Sequence, residues 1–250
     1  MATTKKVTKV SGGEDAPQKA TFVPTAEAKG KATQLRLFAV LSWVLAIAAE
    51  IGAILVLLKS AKPIETSTWV WMIAFIVIDL IFVIVGSMLW KKANRFDPAS
   101  KKDKTKFFLQ NQLGVIIAVV AFLPLVILIF TNKDLDGKQK GILGGIAIVA
   151  LLAAGILSAD FNPPSVEEYA EQTSRIEELT GSNSVYWTKS GTKYHIYDDC
   201  SHISSNRTDE IFNGTVANAR ELKNITELCK TCENRAVKTK GIVSTEEIEE

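Results

Sequence analysis

The chain has 250 residues, 47% of them apolar, with a net charge of +2, three cysteines and two histidines. A charge so near balance gives no electrostatic footprint for nucleic acid, and an odd number of cysteines cannot close into a complete disulfide framework. Two histidines leave no Ser/His/Asp or Cys/His constellation, and there is no phosphate-cradling glycine loop and no HExxH, so nothing points to an enzyme.

Residues 1–33 are rich in Lys, Thr, Ala and Gly without periodicity and read as a disordered basic tail. Within 34–160 come four hydrophobic runs, at residues 37–58, 69–90, 113–130 and 141–159. Each has about 18–22 residues, enough to cross a hydrocarbon core of roughly 30 Å at about 1.5 Å per residue. Buried helices of a soluble protein are the alternative, but four runs nearly free of charge argue for membrane spans. Arg36 and Lys59 bracket the first run, Lys91 and Lys92 follow the second, and Trp69, Trp71 and Trp90 mark the second run's ends as an interfacial aromatic belt does. The first run is too long, and its polar leader too extended, for a cleavable signal peptide. Pro124 is placed to kink the third span. Gly141-x3-Gly145 and Ala150-x3-Ala154 let the fourth pack closely.

Two acidic residues fall inside these runs, Glu50 in the first and Asp79 in the second. With antiparallel spans their depths differ by roughly 4–5 Å. Ionisable groups in a bilayer are costly and face a bundle interior or a wet cavity. The pair reads either as a proton- or cation-binding site or as protonated carboxyls hydrogen-bonding between helices. No Lys, Arg or His lies in the four runs to neutralise them.

Orientation follows from the flanking cations. Seven Lys and Arg residues from Lys5 to Arg36 precede the first run, and seven from Lys91 to Lys106 lie in the second connection. The other two connections hold only Lys59 and Lys62, and Lys133, Lys138 and Lys140. Positive-inside bias then puts both termini in the cytoplasm and the chain in the plasma membrane as a multi-pass protein. The basic connection 94–110 is expected to lie as a loop against anionic headgroups. Three sequons, at Asn206, Asn213 and Asn224, compete with this orientation; the charge asymmetry outweighs them.

After Pro163-Pro164, Ser165-x-x-Glu168 offers a capping box for a connecting helix over 165–181, with Val166, Tyr169, Thr173 and Ile176 on one weakly apolar face. In residues 184–235, Val185-Tyr186-Trp187-Thr188 and Thr192-Lys193-Tyr194-His195 flank Ser190-Gly191 as a hairpin. Thr215 can cap a short helix, Val216–Lys223. Residues 236–250 read as an acidic, solvated tail.

His195-x4-Cys200 followed by Cys229-x2-Cys232 uses every cysteine of the chain. A tight first pair, a long loop and a CxxC knuckle are what a tetrahedral metal needs from a small domain. In a reducing cytosol such thiols bind metal rather than each other. His202 is the rival fourth ligand, though its i, i+2 spacing from Cys200 is awkward for one tetrahedral site. An unmetallated redox CxxC lacks a thioredoxin-like βαβ context.

The string Val185-Tyr186-Trp187-Thr188-x-x-Gly191-x-x-Tyr194-His195-x4-Cys200, then Gly214-Thr215, then Cys229-Lys230-x-Cys232, resembles the small zinc-binding modules similar to that of the Ada DNA-repair protein. The likeness covers about 50 residues and implies zinc ligation by His195, Cys200, Cys229 and Cys232, as a module appended to bacterial membrane, secreted or nuclease-linked proteins. The Ada protein uses four cysteines, one of which accepts a methyl group. His195 in the first position gives no support for that chemistry. Four protein ligands leave no open position, so one structural zinc ion is expected.

Together these readings describe an α-helical membrane protein, a four-helix transmembrane bundle with a small α+β cytoplasmic zinc-binding domain. The expected role is non-enzymatic: the bundle sits in the lipid bilayer and the zinc module meets a cytoplasmic protein partner, nucleic acid being unsupported. The competing role is a small transporter or ion-coupled protein working through Glu50 and Asp79, against which the near absence of polar residues in the third and fourth spans speaks.

Overall fold

The computed structural model describes residues 6–9, 22–59, 66–204, 210–223 and 225–240. It divides into two compact units, one of Thr25–Pro163 and one that combines Met1–Pro24 with Pro164–Glu250.

Four helices build the first unit: α1 (Ala26–Lys59), α2 (Thr66–Phe96), α3 (Lys104–Thr131) and α4 (Gly137–Ser158). All four are long and apolar enough to cross a membrane. Their outward faces carry bare hydrophobic side chains, among them Leu37, Val44, Trp71, Val149 and Ile156, which only an apolar solvent or a partner would cover.

Every helix but α4 runs well past its apolar stretch. α1 starts inside the segment assigned to a disordered tail. Thr25 caps it, its Oγ1 accepting from Ala28 N at 3.1 Å, and its first turns hold strong helix formers with a Glu27–Lys31 ion pair at 2.6 Å. The expected loop over 94–110 shrinks to residues 97–103, because the polar ends of α2 and α3 bind one another. Asn94, fully buried, donates from Nδ2 to Gln110 O at 2.8 Å and to Asn111 Oδ1 at 3.3 Å. Trp90 Nε1 donates to Gln110 O at 2.7 Å, and Arg36 Nη1 reaches Asp97 Oδ2 at 2.7 Å. Polar residues that a hydropathy profile assigns to a loop thus satisfy one another as helix. Asp103 caps α3, accepting from Lys106 N at 3.0 Å, and Asp136 with Gln139 forms a two-way capping box on α4. Pro124 lies within α3, which continues through it.

Small residues set the antiparallel α1–α2 packing. Ala39, Ala46, Ala49 and Ala53 make a buried stripe on α1. A Cβ on Gly52 would meet the Phe75 ring at 2.8 Å, and one on Gly86 would meet the Trp43 ring at 2.5 Å. Both glycines therefore admit an aromatic face that alanine would exclude.

The second unit contains β1 (Lys6–Lys9), α5 (Val166–Thr180), β2 (Val185–Thr188), β3 (Lys193–Tyr194), β4 (Glu210–Gly214), α6 (Val216–Lys223), β5 (Glu227–Leu228) and α7 (Lys230–Lys240). Its larger sheet has the order β1-β4-β2. β2 pairs antiparallel with β4, Val185 opposite Gly214, and β1 pairs parallel with β4, Lys6 opposite Glu210. β1 also falls in the segment expected to lack structure. β3 pairs parallel with β5. The hairpin read around Ser190-Gly191 survives as a single bridge, Tyr186 and His195 exchanging two backbone hydrogen bonds of 2.7 Å.

Ser165 caps α5, its Oγ accepting from Glu168 N at 3.1 Å, and Gly181 ends the helix in the left-handed region at φ 77°. α5 is more than a connector. Ile176 and Leu179 are buried in the same core as Val185, Trp187, Ile211 and Ala236. α7 likewise absorbs residues 236–240 from the expected acidic tail, since Ala236 and Val237 face that core. The tail's remainder, 241–250, lies outside the described residues, as do Asn206 and Asn224.

Candidate metal centre

Each of the four candidate ligands is delivered by a different local device. His195 leaves β3 locked to Tyr186 by the bridge just described. Cys200 opens a tight turn in which Ile203 N and Ser204 N both donate to its carbonyl, at 2.9 and 2.8 Å. Cys229 follows β5, and its N–H donates to Tyr194 O at 2.9 Å, tying the CxxC knuckle to the strand that carries His195. Its own carbonyl accepts from Glu233 N at 3.0 Å, so α7 grows directly out of the knuckle and presents Cys232 in its first turn.

The four side chains converge. One ligand atom from each lies within 4.8 Å of all the others, and all four residues are buried. Cys200 Sγ and Cys229 Sγ are 4.0 Å apart, and Cys232 Sγ is 3.7 Å from His195 Nδ1. A tetrahedral ion with metal–sulfur bonds of about 2.3 Å has S···S edges of about 3.8 Å, so the cluster is already near the size a bound ion requires. The cysteines are free thiols rather than a disulfide.

The proton affinities fit the same use. Burial, helped by the nearby His202, pushes the His195 imidazole down to about 4, so it is neutral and able to ligate at physiological pH. Burial alone would raise Cys229. The backbone amides of Cys232 and Thr231 and the neighbouring Cys200 and Cys232 side chains more than offset it, and its thiol ends below the ordinary value. Cys232 is pushed up to about 12, chiefly by burial. Deprotonation is thus eased at Cys229 and opposed at Cys232, by burial and by the neighbouring Cys200. A cation held by the cluster would favour both thiolates.

His202 does not join the group. It is exposed, its ring centroid lies 6.4 Å from that of His195, and its Nε2 is 3.2 Å from Thr231 Oγ1.

Glu50 and Asp79 lie in the other unit, buried in the helix bundle at 5% and 1% exposure. Glu50 Oε1 and both Asp79 carboxylate oxygens have no hydrogen-bond partner among the described residues.

Two features escaped the sequence reading. Arg220 on α6 is buried, with its guanidinium 3.6 Å from the Tyr169 ring centroid and Nη2 donating to Gln172 Oε1 at 3.2 Å. It anchors α6 to α5. The signal was its place on the inward face with Val216 and Ala219. Asn213, a sequon residue, spends its amide nitrogen on Ser184 Oγ at 3.0 Å and Val185 O at 3.3 Å.

No protein-family model, curated protein or solved structure matches this chain.

Proposed function

We propose that this chain is a multi-pass protein of the plasma membrane, a bacterial inner membrane by its motif likeness, whose cytoplasmic module is built around one structural zinc ion and serves to bind a protein partner. The observation that carries the reading is the convergence of four buried ligand atoms from one small unit. A tetrahedral ion held by one nitrogen and three sulfurs has no position left for water or substrate, so the metal maintains shape and the module acts through its surface. Three free thiols with soft-ligand geometry favour zinc over hard cations. Cation-rich flanks at the N-terminal tail and the α2–α3 connection support a cytoplasmic module. The engagement of the Asn213 amide in two hydrogen bonds speaks against a glycan there.

The test is site-specific photocrosslinking in intact cells from exposed Lys230 and Thr231, beside the knuckle, combined with metal analysis of the purified full-length protein. The expected result is one zinc per chain and a discrete protein adduct, both lost in Cys232→Ser while the variant still inserts in the membrane. A metal-free protein that keeps its adduct, or a zinc-loaded protein with no adduct from either site, refutes the reading.

A further inference from the structure

The bundle holds a second constellation that the metal module does not explain. Two glycine contacts fix the α1–α2 register, Gly52 against Phe75 and Gly86 against Trp43. Interpolating between them places Glu50 and Asp79 within about one helical turn, roughly 5 Å, of each other in depth. Both residues are more than nine-tenths buried, yet three of their four carboxylate oxygens have no hydrogen-bond partner among the described residues. Both stand on helices whose buried faces share a hydrophobic core with Ala46, Ala53, Ala121 and Phe122, and the Leu125 backbone reaches Glu50. Residues 37–58 contain no ionisable side chain except Glu50, residues 69–90 none except Asp79, and residues 113–130 and 141–158 none at all.

Two ionised carboxyls in such a place repel one another with no counter-ion in the four helical runs, which costs several kcal/mol per charge. A proton removes the cost and adds what the site lacks, an O–H donor that the second carboxyl can accept. We propose that Glu50 and Asp79 form one proton-holding site inside the bundle, a coupled pair rather than two independent packing residues. The site is separate from the metal centre. It rests on the reading of α1 and α2 as membrane spans, which retention in the membrane through alkaline carbonate extraction tests independently.

The experiment uses the full-length protein in lipid nanodiscs and the apolar reagent dicyclohexylcarbodiimide. The acid O–H adds across a C=N bond of the reagent, and acyl migration to nitrogen leaves a stable N-acylurea whose mass is that of acid plus reagent. Peptide mass spectrometry is expected to find the adduct on Glu50 or Asp79 at neutral pH, declining as pH rises. Removing one like charge must weaken the partner's hold on its proton. In Asp79→Asn the decline of Glu50 labelling therefore moves to lower pH, corresponding to a loss of about tenfold or more in proton affinity. Glu50→Gln, read at Asp79, provides the reciprocal arm should the first variant fold poorly. Absence of adduct on both carboxyls of the folded protein overturns the proposal. So does a pH profile unmoved by removal of the partner carboxyl, or labelling suppressed by sodium or potassium at fixed pH, which would make a metal cation the ligand.

Discussion

Replacing Ile176 with alanine tests whether α5 belongs to the metal module or merely leads to it. Ile176 is fully buried in the core that also contains Trp187, Tyr194 and the three cysteines. Deleting three buried carbons forfeits about 2.4 kcal/mol at 0.8 kcal/mol per carbon. A residual cavity of about 70 Å³ at 24 cal/mol per Å³ adds nearly 2 kcal/mol more. Partial collapse of the site brings the expected loss to about 3–4 kcal/mol, a large part of the whole stability of a unit this size. In a fragment of residues 164–240, Trp187 is the sole tryptophan, buried and stacked on Phe212 with ring centroids 6.1 Å apart, so its fluorescence reports unfolding. At fixed free zinc, so that metal linkage is constant, the melting temperature of Ile176→Ala should fall by roughly 20 °C. The exposed control Ser174→Ala should move it by no more than a few degrees. A shift of only a few degrees for Ile176→Ala, or a fragment of residues 182–240 as stable as the longer one, would show that the module closes its core without α5.

Acid should destabilise the metal module through His195. Its folded, metal-free proton affinity is depressed from 6.5 to about 4 by burial, so the folded state binds fewer protons than the unfolded one, and the associated stability is complete above 6.5 and lost as pH falls towards 4. The loss is on the order of 3 kcal/mol, and denaturant unfolding of the module followed at Trp187, at fixed free zinc, should show it between pH 6.5 and 4; a stability unchanged across that window would contradict it. Gly86→Ala should destabilise the bundle by about 1–3 kcal/mol, since its Cβ meets the buried Trp43 ring at 2.5 Å and the Ala39 carbonyl at 3.0 Å. Gly145→Ala, with nothing within 4 Å, should be neutral or stabilising by up to about 1 kcal/mol, and differential scanning calorimetry of both variants checks the contrast. In intact cells the three cysteines should resist a membrane-impermeant thiol reagent and react after lysis with a chelator; labelling before lysis would reverse the assigned sidedness.

What the sequence disclosed, and what it hid, divides along the range of the interactions. Hydropathy exposed the four long helices because solvent transfer acts residue by residue. Ser165 and Thr215 announced the starts of α5 and α6 because a cap is a contact over three residues; Asn218 Oδ1 even answers Thr215 N at 3.0 Å. The four residues of the metal cluster were legible for a similar reason, as two short spacings with a loop between. The rest depends on distant partners. The polar ends of α2 and α3 look like loop until Asn94 meets Gln110 and Asn111. β3, two residues long, is defined by parallel pairing with β5, which no local pattern encodes. Ile176 carries one apolar residue's worth of signal on a helix whose sequence is otherwise mostly polar, and only the core shows where it points.

The parallel pairing of β1 with β4 constrains the proposed insertion itself. Strand partners some 200 residues apart hydrogen-bond within one sheet, and a sheet cannot be shared across a bilayer. Whatever number of times the chain crosses between Lys9 and Glu210, that number is even. Four spanning helices would satisfy this parity, and a slip that left one of them outside the lipid would strand Lys6–Lys9 on the wrong side of Glu210–Asn213. For a chain that spans the bilayer as proposed, the sheet would act as a check on topology that completes only after the last helix has been made. It penalises an odd count through lost backbone hydrogen bonds, independently of any charge in the connections.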